Sequence, residues 1–101
     1  MLLCNTTFCV DNTIDNAFRS WVKDTLIPAA TASGTFSSPL FTRIIADADP
    51  NAQSYALQLH AADHDAAARW HGKEAQELMQ ALRKIHGQDK VLSFVTFMEI
   101  L

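Results

Sequence analysis

A chain of 101 residues with 49% hydrophobic and 19% charged residues is long enough for one domain that buries roughly two thirds of its unfolded surface without a disulfide or a metal. That composition excludes a disordered segment and a coiled coil. Eleven acidic against eight basic side chains leave a formal charge of -3, and the basic ones are scattered in sequence (Arg19, Lys23, Arg43, Arg69, Lys73, Arg83, Lys84, Lys90), so nucleic acid is not an expected partner.

No apolar run approaches the roughly 20 residues that span a bilayer, so a membrane is not an expected partner and the expected location is the cytoplasm. Met1-Leu2-Leu3-Cys4 lacks the charged region and apolar segment that precede the cysteine of a lipid-attachment signal. Cys4 and Cys9 stand five apart in one extended segment, pointing to opposite faces and too distant to bridge. Both are expected to be reduced and structural.

The first segment, Leu2 to Val10, alternates with the two-residue period of a strand. Leu2, Cys4, Thr6, Phe8 and Val10 share one face, and Leu3, Asn5, Thr7 and Cys9 the other. Asp11 reads as a helix cap, with Asp15 in the first turn suiting the positive end of the helix dipole. Ile14, Ala17, Phe18, Trp21, Val22 and Thr25 then recur at three and four, a single stripe to be buried. Pro28 is expected to end or kink this helix. Ala29 to Ser33 can add a short turn, closed by Gly34 in a left-handed conformation.

Thr35 to Pro39 reads as a loop and Leu40 to Ala46 as the second strand. Asp47-Ala48-Asp49-Pro50-Asn51 has the residues of a turn, and Gln53 to Ala61 follows as the third strand, making a hairpin with the second. Asp63 caps the second helix, which carries Ala67, Trp70, Ala75, Leu78, Leu82 and Ile85 on its apolar side and runs to Gly87. Gly72 costs about 1 kcal/mol against alanine in a helix interior, so a break is expected near Trp70-His71-Gly72. Lys90 to Ile100 is the last strand.

The order β-α-β-β-α-β, with two right-handed crossovers sharing one sheet, predicts an α+β ferredoxin-like domain over residues 1–101. Its four-stranded antiparallel sheet has order 4-1-3-2 and both helices on one face. In that order strand three lies beside strand one, and full overlap sets Asn5 opposite Gln58, Thr7 opposite Ala56 and Leu3 opposite His60. The face holding these residues is too apolar to be left wet and too polar for an ordinary core. A partner is expected to cover it.

Asn5-Thr6-Thr7-Phe8, Trp21-Val22-Lys23 leading to Ile27-Pro28, Ser33-Gly34-Thr35-Phe36, and Tyr55-Ala56-Leu57-Gln58-Leu59-His60 resemble a bacterial family of uncharacterised domains. That family is similar in fold to the dimeric α/β-barrel superfamily, which includes antibiotic-biosynthesis monooxygenases, haem-degrading monooxygenases and stress-responsive barrel proteins. The resemblance covers nearly the whole chain. It departs at Cys4, where an aromatic is usual, and near Gly72, where a proline is common. It implies a homodimer whose sheets pack face to face around a small lumen, and it implies no activity.

Residue by residue, the bland reading outweighs the chemical one. A Cys–His nucleophile pair fails because Cys4 and His60 fall on opposite faces and Cys9 lies at the far end of the paired strands from His60. His60, Asp63, His64 and Asp65 are dense in ligand types, but Asp63 is a cap and Asp65 suits the helix dipole, so no metal site is predicted. His86 beside Gly87 suits a helix C-terminus. Haem relatives use an asparagine, a tryptophan and a histidine. The spacing of Asn5, Trp70 and His71 does not reproduce that arrangement, and Trp70 fits the helical apolar stripe. The only glycines are Gly34, Gly72 and Gly87, which builds no phosphate loop.

The expectation is a cytoplasmic homodimeric α+β barrel serving as a small-molecule-binding or accessory module. Asn5, Thr7, Gln58 and His60 line its lumen, a small apolar molecule is its expected ligand, and no catalytic residue or cofactor is predicted. The rival is a cofactor-independent monooxygenase or isomerase acting on a small aromatic or polyketide-like compound in the same lumen, with haem binding as a third reading.

Overall fold

The computed structural model describes residues 1–45 and 49–101. Strand β1 (Leu2–Asp11) leads through a 3-10 turn (Asn12–Ile14) into helix α1 (Asp15–Trp21), a π turn (Val22–Leu26) and helix α2 (Ile27–Ala32). Strands β2 (Phe36–Ile44) and β3 (Ala52–Ala61) follow, then helices α3 (His64–Gly72) and α4 (Glu74–His86) and strand β4 (Val91–Glu99). The sheet has four strands in the order β2-β3-β1-β4, the order expected from the sequence.

Register carries through as well. Asn5 lies opposite Gln58, Thr7 opposite Ala56 and Leu3 opposite His60. On its other side β1 places Thr7 opposite Phe94 and Leu3 opposite Met98 of β4. Residues directly opposite share a face, so the sheet divides cleanly. Cys4, Phe8, Val10, Tyr55, Leu57 and Leu59 are buried beneath the helices. Cys9 is exposed on the other side, so the two thiols point apart as predicted. Burial pushes the Cys4 thiol above its usual pKa, which suits an inert packing group.

Pro28 does not end the first helix. A proline donates no N–H, and its ring would meet the carbonyl four residues back in an α-helix. The preceding turn widens, the Ile27 N–H bonding five residues back to Val22 O, and the chain continues helical to Ala32. The buried residues are Ile14, Phe18, Val22, Leu26 and Ala30, while Ala17 and Thr25 of the expected stripe are exposed. Spacing by four drifts about 40° per step around an α-helix. The π turn takes up part of that drift and returns Leu26 and Ala30 to the sheet. Gly34, at φ +78°, closes the segment left-handed, as expected.

β2 starts at Phe36, four residues before the expected Leu40, because a bulge absorbs Ser38 and Pro39 inside the strand. Ser38 adopts φ +54°, and the register shifts between Ser37 and Leu40. Proline is tolerated in a sheet at an edge or a bulge, and β2 offers both. Of the expected turn, Asp47 and Ala48 lie outside the described residues, as does Ala46. Within the rest, the Asn51 N–H donates to Asp49 Oδ1 at 2.8 Å, the side-chain turn that the sequence suggested.

The second helix breaks one residue beyond the expected stretch, at Lys73 (φ -125°, ψ -75°), giving α3 and α4. The break turns α4 so that Ala75, Met79 and Leu82 are buried. Ile85, expected in the stripe, is 77% exposed. Asp63 caps α3 as predicted, Oδ1 accepting from the Asp65 N–H at 2.9 Å and the Ala66 N–H at 3.4 Å. Asp63→Ala should cost about 1 kcal/mol, read as a lower midpoint in urea at unchanged slope.

Candidate functional site

The open face of the sheet brings the four sequence-predicted site residues together. Asn5, Thr7, Gln58 and His60 all lie on it and all are half-buried. Strand alternation puts them there: β1 contributes odd positions and β3 even ones. Asn5 and Gln58 stand directly opposite, but Asn5 Nδ2 donates to the Thr7 hydroxyl at 3.1 Å, on its own strand. His60 faces Leu3 on one side and Ser37 on the other. This polar group is framed by apolar side chains in solvent: Leu92 is 62% and Phe94 65% exposed, joined by Leu40, Ile44 and Met98.

Beneath the helices lies a second feature, missed from the sequence. A cavity of about 60 Å³ sits between sheet and helices, lined by Thr6, Leu57, Trp70, His71, Gln76 and Met79 among others. His71 is only 8% exposed, and its Nε2 has no hydrogen-bond partner. The rings of Phe36, Trp70 and Phe97 meet the imidazole edge to face, with centroids at 5.3, 5.2 and 5.7 Å. Burial pushes the His71 pKa down to about 4, so the ring is neutral at pH 7. The signal was available: Ala67, Trp70 and His71 stand at i, i+3 and i+4, the spacing of one helix face.

Other candidate groupings disperse. Asn5 lies on the open face and Trp70 and His71 on the helix side, so the haem-type trio does not converge. His64 Nδ1 lies 3.5 Å from Asp65 Oδ1 at the exposed start of α3. Among the described residues no group of three or more His, Cys, Asp and Glu side chains is placed to hold a metal ion. Among them, too, no helix is long and apolar enough to cross a membrane.

A third grouping joins α1, the π turn, β2 and β3. The Tyr55 hydroxyl donates to Asp15 Oδ1, and Arg43 Nη2 donates to the Tyr55 oxygen at 3.4 Å. Burial pushes the Tyr55 phenol above its usual pKa, and its bond to the Asp15 carboxylate adds to that. Phe41 stacks on Tyr55 with centroids 5.3 Å apart. Arg19, Lys23 and Arg43, scattered in sequence, all border the groove beside this stack.

The fold is shared with solved structures. A candidate antibiotic biosynthesis monooxygenase from Deinococcus radiodurans is 14% identical, with a TM-score of 0.61 over 100% of this chain and 93% of that one. A monooxygenase of Streptomyces coelicolor, solved in complex with nanaomycin D, is 16% identical, with a TM-score of 0.62 over 99% of this chain and 87% of its own. A dimeric ferredoxin-like protein from an uncultured marine organism is 9% identical, with a TM-score of 0.51 over 100% and 99% of the two chains. At such identities the likeness is one of fold. None of the curated proteins matches the chain. A family model matches residues 1–101 in full, and the chain belongs to that family, described as a domain of unknown function, DUF4286.

Proposed function

We propose that the chain is a cytoplasmic homodimeric module that binds a small molecule or serves as an accessory domain. In this reading two copies pack through their open sheet faces around a lumen that Asn5, Thr7, Gln58 and His60 line. The supporting observation is the open face itself, where Leu40, Ile44, Leu92, Phe94 and Met98 stand exposed around a polar centre. Four strands of nine or ten residues present about 600 Å² on one face, so two faces together reach the lower range of stable interfaces. A self-complementary patch of this kind closes on itself by two-fold symmetry. The neighbour described as a dimeric ferredoxin-like protein supports this reading.

The rival, a cofactor-independent monooxygenase or isomerase, would act in the same lumen. The cavity beneath the helices, about 60 Å³, is well short of the roughly 300 Å³ at which drug-sized ligand pockets begin, so in either reading the site is the lumen between two copies. The Streptomyces coelicolor neighbour supports the enzyme reading by fold alone.

Sedimentation at micromolar concentration should give a dimer, and Phe94→Asp should give a folded monomer, since the joined faces would desolvate the carboxylate. A wild-type chain that sediments as a clean monomer ends the proposal.

A further inference from the structure

On the helix side of the sheet, away from the face assigned to the dimer, the fold gathers cations that the sequence keeps apart. Arg19 on α1 and Lys23 in the π turn lie four residues apart, on one side of the helical segment. Arg43 reaches the same groove from β2, where it pairs with Tyr55. Thus three of the eight basic side chains of a chain with net charge -3 border one groove of about 210 Å³. Among the described residues no carboxylate lines it.

The nearby carboxylate, Asp15, neutralises these cations only loosely. One of its oxygens accepts from the Tyr55 hydroxyl, and the other lies 3.8 Å from Arg19 Nη1, beyond hydrogen-bond reach. Arg43 meets the Tyr55 hydroxyl at 3.4 Å, near the limit for a hydrogen bond. A guanidinium carries five N–H donors in a planar fork that matches the oxygens of a carboxylate or phosphate. Most of that donor capacity is unspent here. The groove floor is the Phe41–Tyr55 stack, whose Phe41 ring is half-buried. An apolar cavity of about 150 Å³ takes up benzene, so this groove has room for one ring together with its anionic group.

We propose that the groove bounded by Arg19, Lys23 and Arg43 over the Phe41–Tyr55 stack binds a small aromatic oxyanion, an aryl carboxylate or aryl phosphate. The two guanidinium groups and the ammonium hold the oxyanion, and the ring lies against Phe41. This site does not depend on the dimer.

The test is titration of phenyl phosphate and of benzoate into the full chain at low ionic strength, followed by amide NMR shifts. Saturable shifts should appear at Arg19, Lys23, Phe41 and Arg43. The tighter of the two probes tells phosphate from carboxylate. Arg43→Gln should weaken binding about tenfold, the loss typical of a charge-assisted hydrogen bond. Lys23→Gln, at another exposed position, should weaken it several-fold, and Lys73→Gln, outside the groove, should leave it unchanged. Absence of saturable shifts with both probes overturns the proposal. Equal weakening by Lys73→Gln overturns it, because binding would then follow net charge. Inorganic phosphate binding as tightly as phenyl phosphate overturns it too, because the ring would contribute nothing.

Discussion

Phe18→Ala should destabilise the protein by about 3–5 kcal/mol, the range for removing a large aromatic from a packed core. Phe18 is fully buried on α1 and meets four rings, Phe8 at 5.0 Å, Tyr55 at 5.6 Å, Trp21 at 5.9 Å and Phe41 at 6.3 Å. These come from β1, β3, β2 and the helix itself, so the cavity would open where three strands meet their cover and could collapse little. Aromatic pairs add about 0.5–1.5 kcal/mol beyond area burial, which places the loss toward the upper end. Domains of this size hold a net stability of about 5–15 kcal/mol, so this single truncation removes a large share. Urea denaturation followed by far-UV circular dichroism measures it. Phe18→Leu, which keeps most of the volume, should cost far less. A loss under about 1 kcal/mol for the alanine variant would mean that the ring cluster does not hold the helix to the sheet.

The second large effect is acid destabilisation through His71. In the folded chain its pKa lies at about 4 because burial disfavours the charged ring, whereas an unfolded histidine titrates near its ordinary value of 6.5. Between these values the unfolded state takes up a proton that the folded state refuses, so stability falls as pH falls. The contribution is complete above about pH 6.5, declines through the window and levels off below about pH 4. The whole shift would correspond to about 3 kcal/mol, and partial solvent access leaves on the order of 2 kcal/mol. His71→Phe, which suits the Phe36, Trp70 and Phe97 surroundings, should flatten the stability profile across that window. Identical profiles for the two proteins would sink the idea. Asp11 acts lower on the scale: hydrogen bonds from Thr13 hold its carboxyl below the ordinary value of 3.8, so its own effect on stability begins only there.

Topology and register were legible because they rest on local periods. Once Leu2 to Val10 alternates and Gln53 to Ala61 is long enough to overlap it, antiparallel pairing leaves little choice but Asn5 opposite Gln58. The same alternation sets Asn5, Thr7, Gln58 and His60 on one face. Features that depend on two elements meeting were not legible. Ser37-Ser38-Pro39 has the composition of a loop, and only pairing with β3 makes it part of a strand. The π turn follows from the five buried positions at intervals of four, a pattern that Ala17, Trp21 and Thr25 obscure. His71 shares a helical face with Trp70, but its depth depends on Phe36 and Phe97 closing over it from the strands. Arg43 is 24 and 20 residues from Arg19 and Lys23, and nothing local announces that β2 returns alongside α1.

The bulge at Ser38 and Pro39 bears on how assembly stops. An exposed sheet edge is a template for another strand, and chains that join edge to edge can grow into ribbons. In the order β2-β3-β1-β4 the two edges are β2 and β4. Pairing β4 with β4 ends at two copies, so every longer ribbon must also recruit β2. There the backbone turns left-handed at Ser38 and lacks a donor at Pro39, interrupting the ladder that a newcomer would copy. The chain can therefore carry an apolar sheet face beside an edge that resists polymerisation.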